Sequence, residues 1–153
     1  MTTHLYQPFQ PLASDGGGLM RVLAAAGVEK GDLIRVVGPS GPIATLWLNA
    51  HGYERAVFVR NMAAQRGLPA DALLVAHPCA ADELDGLVGS AERVRDGGAV
   101  IVQARPGPQG EALDAIAGWL TRSGFAAQRR LNDKGRPICI ARRVGFPTAE
   151  KAA

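Results

Sequence analysis

The apolar positions fall into two alternating patterns: short, almost continuous apolar runs, and longer stretches with apolar residues three and four apart. The runs at Val36 and Val37, and at residues 56–59, 72–76 and 99–104, suit buried strands. Helical spacing joins Leu19, Met20, Leu23 and Ala24, then Ile43, Leu46, Trp47 and Ala50. It returns over residues 82–94 through Leu84, Leu87, Val88, Ala91 and Val94, and again through Leu113, Ile116, Ala117 and Leu120. Ser14 and Asp15 are candidate caps for the first helix, and Gly27, Gly52, Asp96-Gly97-Gly98 and Gly124 close the four stretches. Strands alternating with helices predict an α/β domain with helices on both faces of a parallel sheet. Residues 125–131 and 137–142 form a last pair of runs joined by Asn132-Asp133-Lys134-Gly135-Arg136. Five residues cannot cross over a sheet, so this pair is antiparallel.

Between the second and third strands there is room for one helix but not for a helix, a strand and a second helix, so the sheet is narrow on that side. The expected architecture is three-layered and α/β, with a mostly parallel sheet of about six strands and an antiparallel C-terminal hairpin. A length of 153 residues, 47% of them hydrophobic, supports one core. We place a single domain at residues 19–146, an extended N-terminal arm at 1–18 and a tail at 147–153. The arm carries two Gln-Pro steps, and its Leu5, Tyr6, Phe9 and Leu12 suggest that it packs on its own domain or on a second subunit.

Cys79 and Cys139 share no close spacing with each other or with a histidine, so the sequence signals neither a disulfide framework nor a metal site. With no basic start leading into an apolar run, and no window near the ~18 apolar residues of a membrane span, the expected location is cytoplasmic, away from membranes. The net charge is +3, but residues 121–153 hold eight basic and two acidic side chains. Aromatic residues that could stack bases are not interleaved there, so we read that end as a solvated sheet edge and expect no nucleic-acid partner.

The chemistry is centred on residues 33–52, where the first strand runs into Gly38-Pro39-Ser40-Gly41 and then a helix. Such a turn aims backbone N–H groups and a helix dipole at a bound ligand. Further on come Leu74-Val75-Ala76-His77-Pro78 at a strand end, the turn Arg95-Asp96-Gly97-Gly98, Gly124-Phe125 and the closing hairpin. On these residues the second half of the chain, residues 71–143, resembles the class I S-adenosylmethionine-dependent methyltransferases. The resemblance implies a Rossmann-like fold and S-adenosylmethionine as cofactor; the candidate cofactor-binding residues are Gly38, Pro39, Ser40 and Gly41 at the turn, with Arg60, His77 and Pro78 at the neighbouring strand ends. The family's pattern has an acidic residue before its glycine turn and another at the end of strand two. Val36 and Arg60 stand there instead. Guanidinium offers donors only and cannot accept hydrogen bonds from ribose hydroxyls, so the cofactor turn reads as degenerate.

A second resemblance covers residues 34–61. Gly38-Pro39-Ser40-Gly41-Pro42-Ile43-Ala44 is similar to the turn of atypical NADP-preferring short-chain dehydrogenase-like proteins, and Arg60 would then face the 2′-phosphate of NADP. Neither tyrosine has a lysine four residues on, so that likeness implies sensing rather than hydride transfer. Pro78-Cys79 resembles the Pro-Cys of 5-methylcytosine-forming methyltransferases, though a cysteine after a strand is more often packing, and we assign no catalytic residue. His77 is read as a crevice-mouth contact, and Trp47 and Trp119 as core. These readings favour a methyltransferase-like domain acting as a non-catalytic partner or regulatory module, with a protein partner or a homodimer through the arm. The alternatives are an active methyltransferase on a small molecule and an NADP- or phosphate-binding sensor.

Overall fold

The computed structural model describes residues 11–60, 67–107 and 110–144. Residues 1–10 of the expected arm and the whole of the expected tail lie outside them. Among the described residues six strands form one sheet: β1 (Ile34–Val37), β2 (Ala56–Phe58), β3 (Ala70–Cys79), β4 (Val94–Ala104), β5 (Phe125–Asp133) and β6 (Arg136–Arg143). Their spatial order is β2-β1-β3-β4-β6-β5. The first four are parallel, and β6 runs antiparallel to both β4 and β5. The narrow side has β2 as its edge, as the spacing implied.

Helices α1 (Gly16–Ala25) and α2 (Gly41–Ala50) cover one face. There Leu19, Val22, Leu23, Ala44 and Leu48 pack with Ile34, Val36, Leu74 and Ile101. On the other face α3 (Leu84–Leu87) and α4 (Glu111–Arg122) set Leu84, Ile116 and Leu120 against Val37, Leu73, Val75 and Val100. Strand residues alternate between the two clusters because successive side chains point to opposite faces. Among the described residues no helix is long and apolar enough to cross a membrane.

Three expectations need correction. The helix expected over residues 82–94 is reduced to α3 between 3-10 turns at Ala81–Glu83 and Ala91–Arg93. Gly89, at φ +70°, breaks it, and Val94 pairs with Ala70 as a strand residue. The arm is not extended up to residue 18: Leu12–Ser14 is a 3-10 turn with Leu12 and Ala13 buried, and α1 starts at Gly16, capped by the Asp15 carboxylate, which accepts from the Gly18 N–H at 3.1 Å. On α2, Ile43 and Leu46 are 57% and 73% exposed, and the buried stripe is Gly41, Ala44 and Leu48. Trp119 is buried, with its indole N–H donating to Asp85 at 2.8 Å, whereas Trp47 is half-buried at the margin of the core.

Candidate functional site

The turn after β1 is built by Gly38, whose φ of +98° lies where only glycine is unstrained. The Gly41 N–H closes it on the Gly38 carbonyl at 2.9 Å. Pro39 and Pro42 have no N–H to offer, so Ser40 and Ile43 remain as donors at the helix start beyond Gly38. The Ser40 side chain makes no capping hydrogen bond. This is a sparse cradle for an anion.

Two rings already lie against its glycines. A Cβ on Gly38 would stand 2.5 Å from both Nδ1 and Cε1 of His77, so the imidazole, carried on β3, rests on the turn itself. A Cβ on Gly41 would stand 2.5 Å from Cε1 of Phe58, the last residue of β2. At the base of α1, Gly16 likewise leaves room only for the Trp47 indole, which stacks on His51 with centroids 3.9 Å apart.

His77 is half-buried, and its Nδ1 is enclosed with no hydrogen-bond partner. Burial pushes its pKa below the ordinary value; nearby Glu83 opposes the shift and Arg105 adds to it. The imidazole is therefore neutral at physiological pH and can act as an acceptor or donor but not as a fixed cation. Arg105 and Glu83 form a 2.9 Å ion pair beside it, and Glu83 also accepts from the Ala80 N–H at 2.8 Å. Cys79 is fully buried, and desolvation pushes its thiol up to about 12, which disfavours the thiolate form a nucleophile needs.

The structure thus brings Gly38, Pro39, Ser40, Gly41, His77 and Pro78 to one end of the sheet. Arg60 is exposed beyond the end of β2, without a hydrogen bond or ion pair among the described residues. No cluster of His, Cys, Asp and Glu able to hold a metal occurs among the described residues. Sequence reasoning missed Phe58, whose ring covers the turn; an aromatic residue at a strand end beside a glycine turn was the available signal.

No protein-family model and no curated protein sequence matches the chain. Solved structures do. A methyltransferase from Pyrococcus furiosus superposes with a TM-score of 0.57 at 12% identity, over 91% of this chain and 88% of that one. The B. subtilis tRNA methyltransferase TrmK gives 0.57 at 12% identity, over 83% and 65%. An O-methyltransferase family protein from Burkholderia thailandensis gives 0.50 at 19% identity, over 88% and 50%. The chain has a methyltransferase-like Rossmann fold. It spans only half the length of the Burkholderia protein and about two thirds of TrmK. The hairpin sets this fold apart from fully parallel nucleotide-binding sheets: β6 inserts between β4 and β5, antiparallel to both.

Proposed function

We propose that this methyltransferase-like domain has a degenerate S-adenosylmethionine site and works as a non-catalytic partner or regulatory module. The observation that carries the reading is the occupation of the turn by the protein's own rings, His77 on Gly38 and Phe58 on Gly41. A nucleoside cofactor needs backbone contact at such glycines and acceptors for its ribose hydroxyls. Here the glycines are covered, and the nearby strand ends carry Val36, Phe58 and Arg60, none of which offers a side-chain acceptor. The residues present do not fit the cofactor in its ordinary pose. Ile43 and Leu46 on α2, with Val57 and Phe58 on edge strand β2, keep large apolar surface exposed, which supports a role in contacting another protein.

Calorimetric titration of the full chain with S-adenosylmethionine, S-adenosylhomocysteine, NADP and NAD tests the reading. No saturable heat from the two sulfur nucleosides is expected. Micromolar binding of S-adenosylmethionine would overturn it in favour of an active methyltransferase. NADP binding that is lost in Arg60→Glu would favour a dinucleotide sensor.

A further inference from the structure

At the other end of the sheet the fold buries a cation with no described counterion. Arg35 sits within β1, in register with Val57 on one side and Leu73 on the other. Alternation along the strand puts it on the face of Val37, toward the second core cluster, and it is 6% exposed. Among the described residues no carboxylate pairs with it and no hydrogen bond engages its guanidinium. Burial, and then the like charge of Arg93, disfavour its charged form. Guanidinium nevertheless stays protonated in proteins, so the cost of an uncompensated charge persists until an anion meets it.

The space for that anion is present. A cavity of about 320 Å³ opens beside Arg35, lined also by Arg93, Ser90, Glu92 and the loop at residues 67–69. Gly67, at φ +109°, lies on this wall in a backbone conformation that favours glycine, and the position a Cβ would take there is an ordinary contact distance, 3.8 Å, from Arg35 Nη2. The Ser90 oxygen accepts from the Glu92 N–H at 3.2 Å, which leaves its own hydrogen to donate into the cavity. Glu92 is exposed at the rim, and the charge that acts on Arg35 is that of Arg93.

We propose that this cavity is a binding site for a tetrahedral oxyanion, either inorganic phosphate or the phosphate group of a small monoester. Two guanidinium groups on one cavity match a divalent anion better than a single carboxylate, and Arg forks suit phosphate oxygens. Its volume lies near the lower end of ligand sites, about 300 to 1,000 Å³, enough for a phosphate and a small substituent. The loop at 67–69 leads into β3, and residues 90–93 lead into β4. The cavity therefore lies at the amino ends of these parallel strands, and Gly38 and His77 lie at the carboxyl ends. The two sites are separate, and this proposal stands whether or not a nucleoside binds at the turn.

The test is thermal unfolding and calorimetry of the full chain in chloride buffer, titrated with inorganic phosphate at matched ionic strength. Wild type should bind one phosphate, with a melting temperature that climbs as phosphate is added. Arg35→Met should fold without phosphate and lose this response, and Arg93→Gln should weaken binding about tenfold or more. Ribose 5-phosphate binding more tightly than phosphate would identify a monoester; equal or weaker binding would identify the free ion. Acetate should give no response. A phosphate response no larger than that to chloride, or one retained in both Arg35→Met and Arg93→Gln, would overturn the proposal.

Discussion

The main-chain N–H of Leu12 donates to the side-chain oxygen of Gln103, 2.8 Å away in buried surroundings and 91 residues distant in sequence. This bond ties the segment before α1 to the carboxyl end of β4, and it explains why a polar side chain with no exposure is tolerated there. The Gln103 amide nitrogen has no partner, so the residue is held by its acceptor alone. Gln103→Met keeps the shape and removes the acceptor. We expect a loss of about 1 to 2 kcal/mol in urea unfolding, together with faster amide exchange at Leu12.

A charged network anchors the same segment from the hairpin. Arg136, 3% exposed at its side chain, donates to Asp133 at 2.5 Å and to Asp15 at 2.6 Å, and Arg21 reaches Asp133 at 2.6 Å. The Arg21 guanidinium first, and Arg136 second, hold the Asp133 carboxyl below its ordinary pKa; Arg136 and the Gly18 N–H do the same for Asp15. Both folded-state values lie below the unfolded 3.8, so the unfolded chain binds more protons in that range. The stability these groups contribute is complete above the unfolded value and is lost as pH falls through the folded ones. Urea midpoints should therefore drop below about pH 4, and Asp133→Asn should flatten that drop. At pH 7, Asp133→Ala should cost about 3 kcal/mol, because it leaves a buried guanidinium short of a partner.

His77 adds a separate dependence at higher pH. Its folded pKa lies below the ordinary 6.5 because the ring is desolvated against the turn. The folded state then binds fewer protons, so stability is full above pH 6.5 and declines as pH falls below it. Wild type should lose stability as pH falls below 6.5, as measured by thermal unfolding. His77→Phe, which keeps a ring on Gly38, should abolish that decline.

The layers and the hairpin were legible because burial imposes its period on the sequence: Ile34, Val36, Leu74 and Ile101 could only be strand interior. The two-residue turn at Lys134 and Gly135, both at positive φ, was masked by reading five residues as loop. Residues 82–94 misled because Leu84, Val88 and Val94 are all buried and fit a helix by count, yet Gly89 and pairing with β3 divide them between α3, the turn that ends it and β4. At the site, the glycine turn was readable and its covering was not. Which ring rests on which glycine depends on contacts between β2, β3 and the turn, and these are remote in sequence. Arg35 was hidden inside a strand-like run, where one charge does not disturb an apolar pattern.

The cysteines give a direct check on burial. Desolvation raises the thiol of Cys79 to about 12 and that of Cys139 to about 11, and both are fully buried. Thiolate is the reactive form, so neither should react with an aromatic disulfide reagent at pH 8 on the timescale of a surface thiol. Both should react once urea unfolds the chain. Rapid titration of Cys79 in the native protein would contradict its placement at the end of β3.

Helix α2 distinguishes between the face its sequence suggests and the face it buries. Ile43, Leu46, Trp47 and Ala50 form the more conspicuous apolar set, but Leu48 and Ala44 are the residues with no exposure. Leu48→Ala should remove packing against the first core cluster and cost about 2 to 5 kcal/mol. Leu46→Lys should change stability by less than about 0.5 kcal/mol, since its side chain contributes little to the core. The same substitution should weaken any self-association or partner binding that uses the exposed stripe, as read by sedimentation or by the mass of the assembly. If Leu46→Lys proved as destabilising as Leu48→Ala, α2 would be rotated relative to the sheet, and the covering of Gly41 by Phe58 would have to be redrawn with it.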